Sequence, residues 1–238
     1  MKHAVIVFVC FAAALSLPRT AAAQKHLTLE TRQDREDKYR VALRKVFGRI
    51  SDDDVVLSVL MVPSFIPEQA GGVLRSSSGY QAFVLTPSAS TWETEYNQLI
   101  KESDGHGGIV PHPRKENLKK GLPLSYRGIK TRIQARPVSA DVAERLKQLW
   151  QAKLHEALHP PPEPNDADRI IVTDGVTYYY SMPLKGIGRV TAEGLIAVQS
   201  TPVWLMGELA DTLMAYAQGK ASEEALKRAL RRVETKKA

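Results

Sequence analysis

His155-Glu156-Ala157-Leu158-His159 is the stretch of this sequence whose residue types and spacing match a recognised chemical arrangement, H-E-x-x-H. Residues four apart on a helix share a face, so the two imidazoles can bind one metal ion while the glutamate activates a bound water. Other side chains suited to chemistry or binding are scattered. His106 and His112 lie in a glycine- and proline-rich stretch with Asp104 close by, where glycines would let the backbone approach a ligand. Glu68 follows a proline and Glu93 stands beside Trp92, but glycoside hydrolysis needs two carboxylates brought together. Tyr178-Tyr179-Tyr180 alternates across a strand, which turns Tyr179 away from its two neighbours and leaves it free to stack on a sugar ring or a partner.

The motif resembles that of the zincin metallopeptidases, and the resemblance covers two short stretches. It implies a zinc-dependent hydrolase in which His155 and His159 hold zinc and Glu156 is catalytic. Glu208, in Glu208-Leu209-Ala210-Asp211, would be the third ligand, with Asp211 orienting it. Two features oppose this reading. On a helical wheel Val142, Leu146, Leu149, Trp150, Leu154 and Ala157 define one apolar face, and His155 and His159 fall nearly opposite it. Lys153 also sits two residues before the motif, and Pro160-Pro161-Pro162 ends the helix just after it. The alternative is an exposed helix end whose histidines suit the negative end of the helix dipole and bind no cofactor. No G-x-S-x-G, phosphate-binding loop, dinucleotide fingerprint or calcium-loop pattern is present, and Asp52-Asp53-Asp54 lacks the spacing and glycine of the last.

The elements that must position these residues can be read in part. Thr31 to Phe47 reads as a helix that Gly48 stops, and Val55 to Val62 as a strand buried on both faces. Pro63 to Glu68 is irregular, a Gly- and Ser-rich link follows, and Tyr80 to Leu85 is a second strand. Residues 87–124 read as a long irregular loop with Trp92 and Tyr96 on a short helix. Gly128 to Ala135 is a strand ended by Pro137, and Ser139 precedes a helix from Ala140 to about His159. Asp174-Gly175 between two β-rich runs, Arg169 to Thr173 and Val176 to Ser181, signals a hairpin. Arg189 to Ala192 and Leu195 to Val198 extend it, with a turn at Glu193-Gly194. Ser200 or Thr201 caps a helix with Pro202 in its first turn that runs to Gly219, and Ser222 opens a basic last helix. This order predicts an α+β fold, a mainly antiparallel sheet packed by helices, in one mature domain spanning 24–238.

The N-terminus supplies an address. Met1-Lys2-His3 is followed by an apolar run of about 14 residues, then Pro18 and Ala21-Ala22-Ala23, the pattern of a secretory signal peptide over residues 1–23 with cleavage near Ala23-Gln24. The run is shorter than the roughly 20 apolar residues that span a bilayer, and no later segment is long and apolar enough to do so. Cleavage would remove Cys10, the single cysteine, so the mature chain could form no disulfide. It would also remove Lys2 and Arg19 and no acid, lowering the formal charge from +7 to +5. That excess suits weak contact with anionic surfaces, while an exported chain without an aromatic-rich basic strand is not expected to bind nucleic acid. The sequence therefore points to an exported protein, periplasmic or extracellular, that binds a protein or envelope component through the 87–124 loop (Trp92, His106, His112) and the sheet surface at Tyr179.

Overall fold

The computed structural model describes residues 21–22, 27–30, 37–64, 66–94, 123, 125–160, 169–170, 175–196 and 201–236. Their strands are β1 (Ala21–Ala22), β2 (Thr28–Leu29), β3 (Val55–Pro63), β4 (Gln69–Ser76), β5 (Gly79–Pro87), β6 (Thr131–Val138), β7 (Arg169–Ile170), β8 (Val176–Leu184) and β9 (Gly188–Ile196). The α-helices are α1 (Lys38–Val46), α2 (Ala140–Leu158), α3 (Pro202–Ala217) and α4 (Glu223–Thr235). Seven strands form one sheet in the order β2-β9-β8-β3-β4-β5-β6, antiparallel throughout, while β1 and β7 pair separately. The fold is α+β: β3 to β6 form a meander, and the β8–β9 hairpin returns to the free side of β3.

The nearly all-apolar run of β3, broken only by the buried Ser58, has a direct cause, because both faces of the sheet are covered. Leu57, Val59 and Met61 join Val73, Val84, Tyr178, Tyr180 and Met182 in a core against α2, α3 and α4. On the opposite face Leu60, Leu74, Phe83 and Leu85 pack against Leu43, Val46 and Phe47 from α1 and its end. An irregularity between Val55 and Leu57 resets the alternation, so Val55 belongs to the α1 side although Leu57, two residues on, does not. The helix ends follow local chemistry. The Asp37 carboxylate accepts from the amides of Tyr39 and Arg40, Thr201 accepts from Trp204, and Ser222 from Ala225. Ser139 precedes α2 but makes no side-chain cap. Its hydroxyl and amide instead donate to Glu223, at 2.8 and 3.2 Å, and fasten the start of α2 to the start of α4.

Several sequence expectations need correction. The Gly- and Ser-rich link is the central strand β4, where glycine is required by crowding rather than by a turn: a Cβ on Gly72 would lie 2.1 Å from the Leu57 carbonyl oxygen. Residues 171–174 of the expected Asp174-Gly175 hairpin lie outside the described residues, and its second run, Val176 to Ser181, takes other partners. Both sides of β8 are taken, by β3 and β9, and Arg169–Ile170 pairs with Ala21–Ala22. The turn placed at Glu193-Gly194 is the interior of β9, where a Cβ on Gly194 would come within 2.7 Å of Val203 Cγ1. Pro137 does not end β6 but lies within it, which an edge strand tolerates because no neighbour needs its missing N–H.

Candidate functional site

Among the described residues Glu68 is the most buried charged side chain, at 1% exposed. It stands one residue before β4, at the end of the sheet where β5 finishes and the chain turns into residues 91–94, a single helical turn. One carboxylate oxygen accepts from the Tyr39 hydroxyl (2.6 Å), the Trp92 amide (2.9 Å) and the Ser90 hydroxyl (3.4 Å), and the other from the Thr91 amide (2.9 Å). The Ser90 hydroxyl in turn accepts from the Glu93 amide at 3.3 Å. Glu68 thus satisfies the first two amides of the turn and Ser90 the third, groups that would otherwise be buried without partners. Negative charge at the start of a helical turn is also favourable. Burial first, and then the Glu68 carboxylate, push the Tyr39 phenol above its ordinary range, so it remains a proton donor.

This arrangement holds the Trp92 backbone in a residue that stays partly exposed. Trp92 is 45% exposed, and its ring meets Tyr39 edge-on with centroids 5.3 Å apart. Ile66, two residues before Glu68, is 59% exposed. A rigid, partly exposed aromatic is the kind of group that anchors contacts, since little side-chain freedom is left to lose on binding.

Tyr179 lies on the same face of the sheet, turned away from Tyr178 and Tyr180 as the alternation requires. Its ring is half-buried beneath the Arg40 guanidinium, 5.0 Å from the ring centre. Arg40 also bonds Glu193 at 3.2 Å and approaches Glu30 at 3.9 Å, and Glu30 bonds Arg44 at 2.9 Å. The cation therefore occupies a stacking position over Tyr179 and compensates the buried charge of Glu193. His106 and His112 lie outside the described residues.

The residues of H-E-x-x-H are all described. Helix α2 buries Val142, Leu146, Leu149, Trp150, Leu154 and Ala157 and leaves His155 and His159 exposed. Glu156 pairs with Lys153 at 2.7 Å. Glu208, on α3, pairs with Arg232 of α4 at 2.9 Å, and Asp211 accepts from the Tyr178 hydroxyl at 2.8 Å. Among the described residues no group of three or more His, Cys, Asp or Glu side chains is placed to hold a metal ion, so the fold does not gather His155, His159 and Glu208. An open depression of about 190 Å³ beside Trp204, Leu205, Arg232, Thr235 and Lys236 contains no histidine. Among the described residues no helix is long and apolar enough to cross a membrane.

The enclosure of Glu68 was not legible in the sequence, because its donors come from residues 22 to 29 positions away on either side. The usable signal was local: Ser90-x-x-Glu93 has the spacing of a helix start. No protein-family model, no curated protein and no solved structure matches this chain.

Proposed function

We propose that this is an exported protein of the bacterial envelope type that acts by binding a protein or envelope component, and that the Trp92 face is its contact surface. The observation that carries the reading is the contrast at Trp92: a backbone amide held by the buried Glu68 in a residue that is 45% exposed. Such a site contributes shape and apolar area rather than a reactive group. Four donors meet Glu68, three at one carboxylate oxygen and one at the other, which suits a structural carboxylate better than a proton-transfer group. Export rests on the N-terminal pattern. It is compatible with the fold, since every strand of the large sheet and every described helix follows Gln24, and cleavage there would remove β1 alone.

The test has two arms. A tagged, secreted form is recovered from the envelope fraction together with whatever it holds, and Trp92→Ala, at unchanged thermal stability, is expected to lose that companion. The purified protein is also assayed against a mixed peptide pool. Hydrolysis abolished by Glu156→Gln would overturn the binding reading in favour of the zinc-dependent one.

A further inference from the structure

Strand β6 is the edge of the large sheet, and the pattern of its hydrogen bonds shows which of its residues face outward. The Ser88 amide donates to the Lys130 carbonyl at 2.7 Å and the Lys130 amide to the Ser88 hydroxyl at 3.1 Å, which makes these two a bonded pair. Bonded pairs alternate along an antiparallel ladder. By the observed register, Thr86–Arg132, Val84–Gln134 and Ala82–Arg136 are therefore the bonded pairs that follow. Thr131, Ile133, Ala135 and Pro137 then direct their main-chain groups away from β5. The prolines agree with this phase: Pro137 and Pro87, which have no N–H to give, both fall at positions outside the bonded pairs. All four outward residues are exposed, Ile133 at 48%. Among the described residues no strand lies on this side of β6.

The charge along this edge is of one sign. Between Arg127 and Val138 stand Arg127, Lys130, Arg132 and Arg136, with no acid, and all four are exposed. They are also sorted by face. Ile133 is directly opposite Leu85, on the α1 side of the sheet, while Arg132 and Arg136 alternate with it and point to the other side. Arg136 lies over the Tyr216 ring at 4.7 Å and reaches the Ala221 carbonyl, and Arg132 reaches Gln134 on its own strand. Pairing of β6 with β6 of a second copy would bring these cations together, the usual way an edge resists self-association.

We infer that β6 is a docking edge for an extended acidic segment of a partner protein, which adds to the sheet as an eighth strand. The added strand takes main-chain hydrogen bonds from Thr131, Ile133 and Ala135. Its acidic side chains lie beside Arg132 and Arg136, and apolar ones alternate with them beside Ile133. This inference does not depend on Trp92 being a contact residue, so either can fail alone.

The probe is a short capped peptide in which glutamate alternates with valine, titrated into the full-length protein while backbone amide exchange is followed. The expected result is slower exchange at Thr131, Ile133 and Ala135, and binding that weakens as salt rises. A peptide with lysine in place of glutamate should bind at least about tenfold more weakly. Ala135→Pro removes an outward N–H without touching the β5 ladder and should abolish binding. Arg132→Glu, an exposed change that cannot disturb the core, should narrow the preference for the glutamate peptide several-fold. Protection elsewhere in the sheet, equal binding of both peptides, binding unaffected by either substitution, or self-association through β6 would each overturn the inference.

Discussion

On one face of the sheet, α2, α3 and α4 bury Trp150, Tyr180, Leu146 and Leu213 completely, and Trp150 donates its ring N–H to the Ser58 carbonyl at 3.3 Å. On the other face, among the described residues, the nine residues of α1, the turn after it, Tyr126 and Ile129 cover the central strands. Around that thinner cover lie half-buried ion pairs and a buried carboxylate, and at its margin an exposed tryptophan. The difference separates two tasks. The three-helix face supplies apolar area and with it most of the stability, whereas the α1 face uses polar groups to hold a few surface side chains still.

The comparison predicts a wide spread of effects from chemically similar changes. Trp150→Ala should cost about 3 to 5 kcal/mol in urea unfolding, because it leaves a large cavity and removes the ring N–H bond to the Ser58 carbonyl. Trp92→Ala, in contrast, should cost about 1 kcal/mol or less. If the two tryptophans cost the same, the division between faces is wrong. Glu68→Gln should fall between them, at about 1 to 3 kcal/mol, since an amide NH₂ would be forced against donors that now meet an anion. It should also raise amide exchange across residues 91–94 more than in α2.

Asp211 tests the thick face by pH. Its carboxyl is pushed up by burial, with the Tyr178 hydroxyl bond opposing the shift. A carboxyl with a raised folded-state value binds its proton more readily in the folded protein, so this group's contribution favours folding as pH falls through the region just above the ordinary aspartate range and disfavours it at neutral pH. Asp211→Asn keeps an acceptor for Tyr178 and should flatten that part of the melting temperature against pH profile, with equal or higher stability at neutral pH. A steeper profile would contradict the assignment. The smallest effect is expected at His155 and His159, where alanine substitution should change stability by no more than about 0.5 kcal/mol and leave it insensitive to added zinc.

What could be read beforehand followed from local physics. The apolar stripe of α2, the Thr201 and Pro202 start of α3, Ser222 before α4, and the two-sided burial of β3 are set within a few residues. The features that escaped depend on distant neighbours. Gly72 and Gly194 resemble turn residues until the Leu57 backbone and the Val203 side chain are seen against them. Asp174-Gly175 carries a hairpin signal, but β8 is already paired on both sides. Glu68 reads only as an isolated carboxylate after a proline until α1 and residues 90–92 bring four donors to it. Conversely, H-E-x-x-H is complete in the sequence, and its helix turns both histidines to the exposed side.

The most direct measurement places a photoreactive phenylalanine analogue at position 92 or at position 187, in cells that make and export the protein. Ile187 is the control because it is also an exposed apolar residue, 56% accessible, but sits in the β8–β9 turn at the opposite end of the sheet. A discrete adduct formed on illumination from position 92 and not from position 187 is the predicted result. No adduct at position 92, or the same adducts from both positions, would contradict the claim that the Trp92 face is the contact surface.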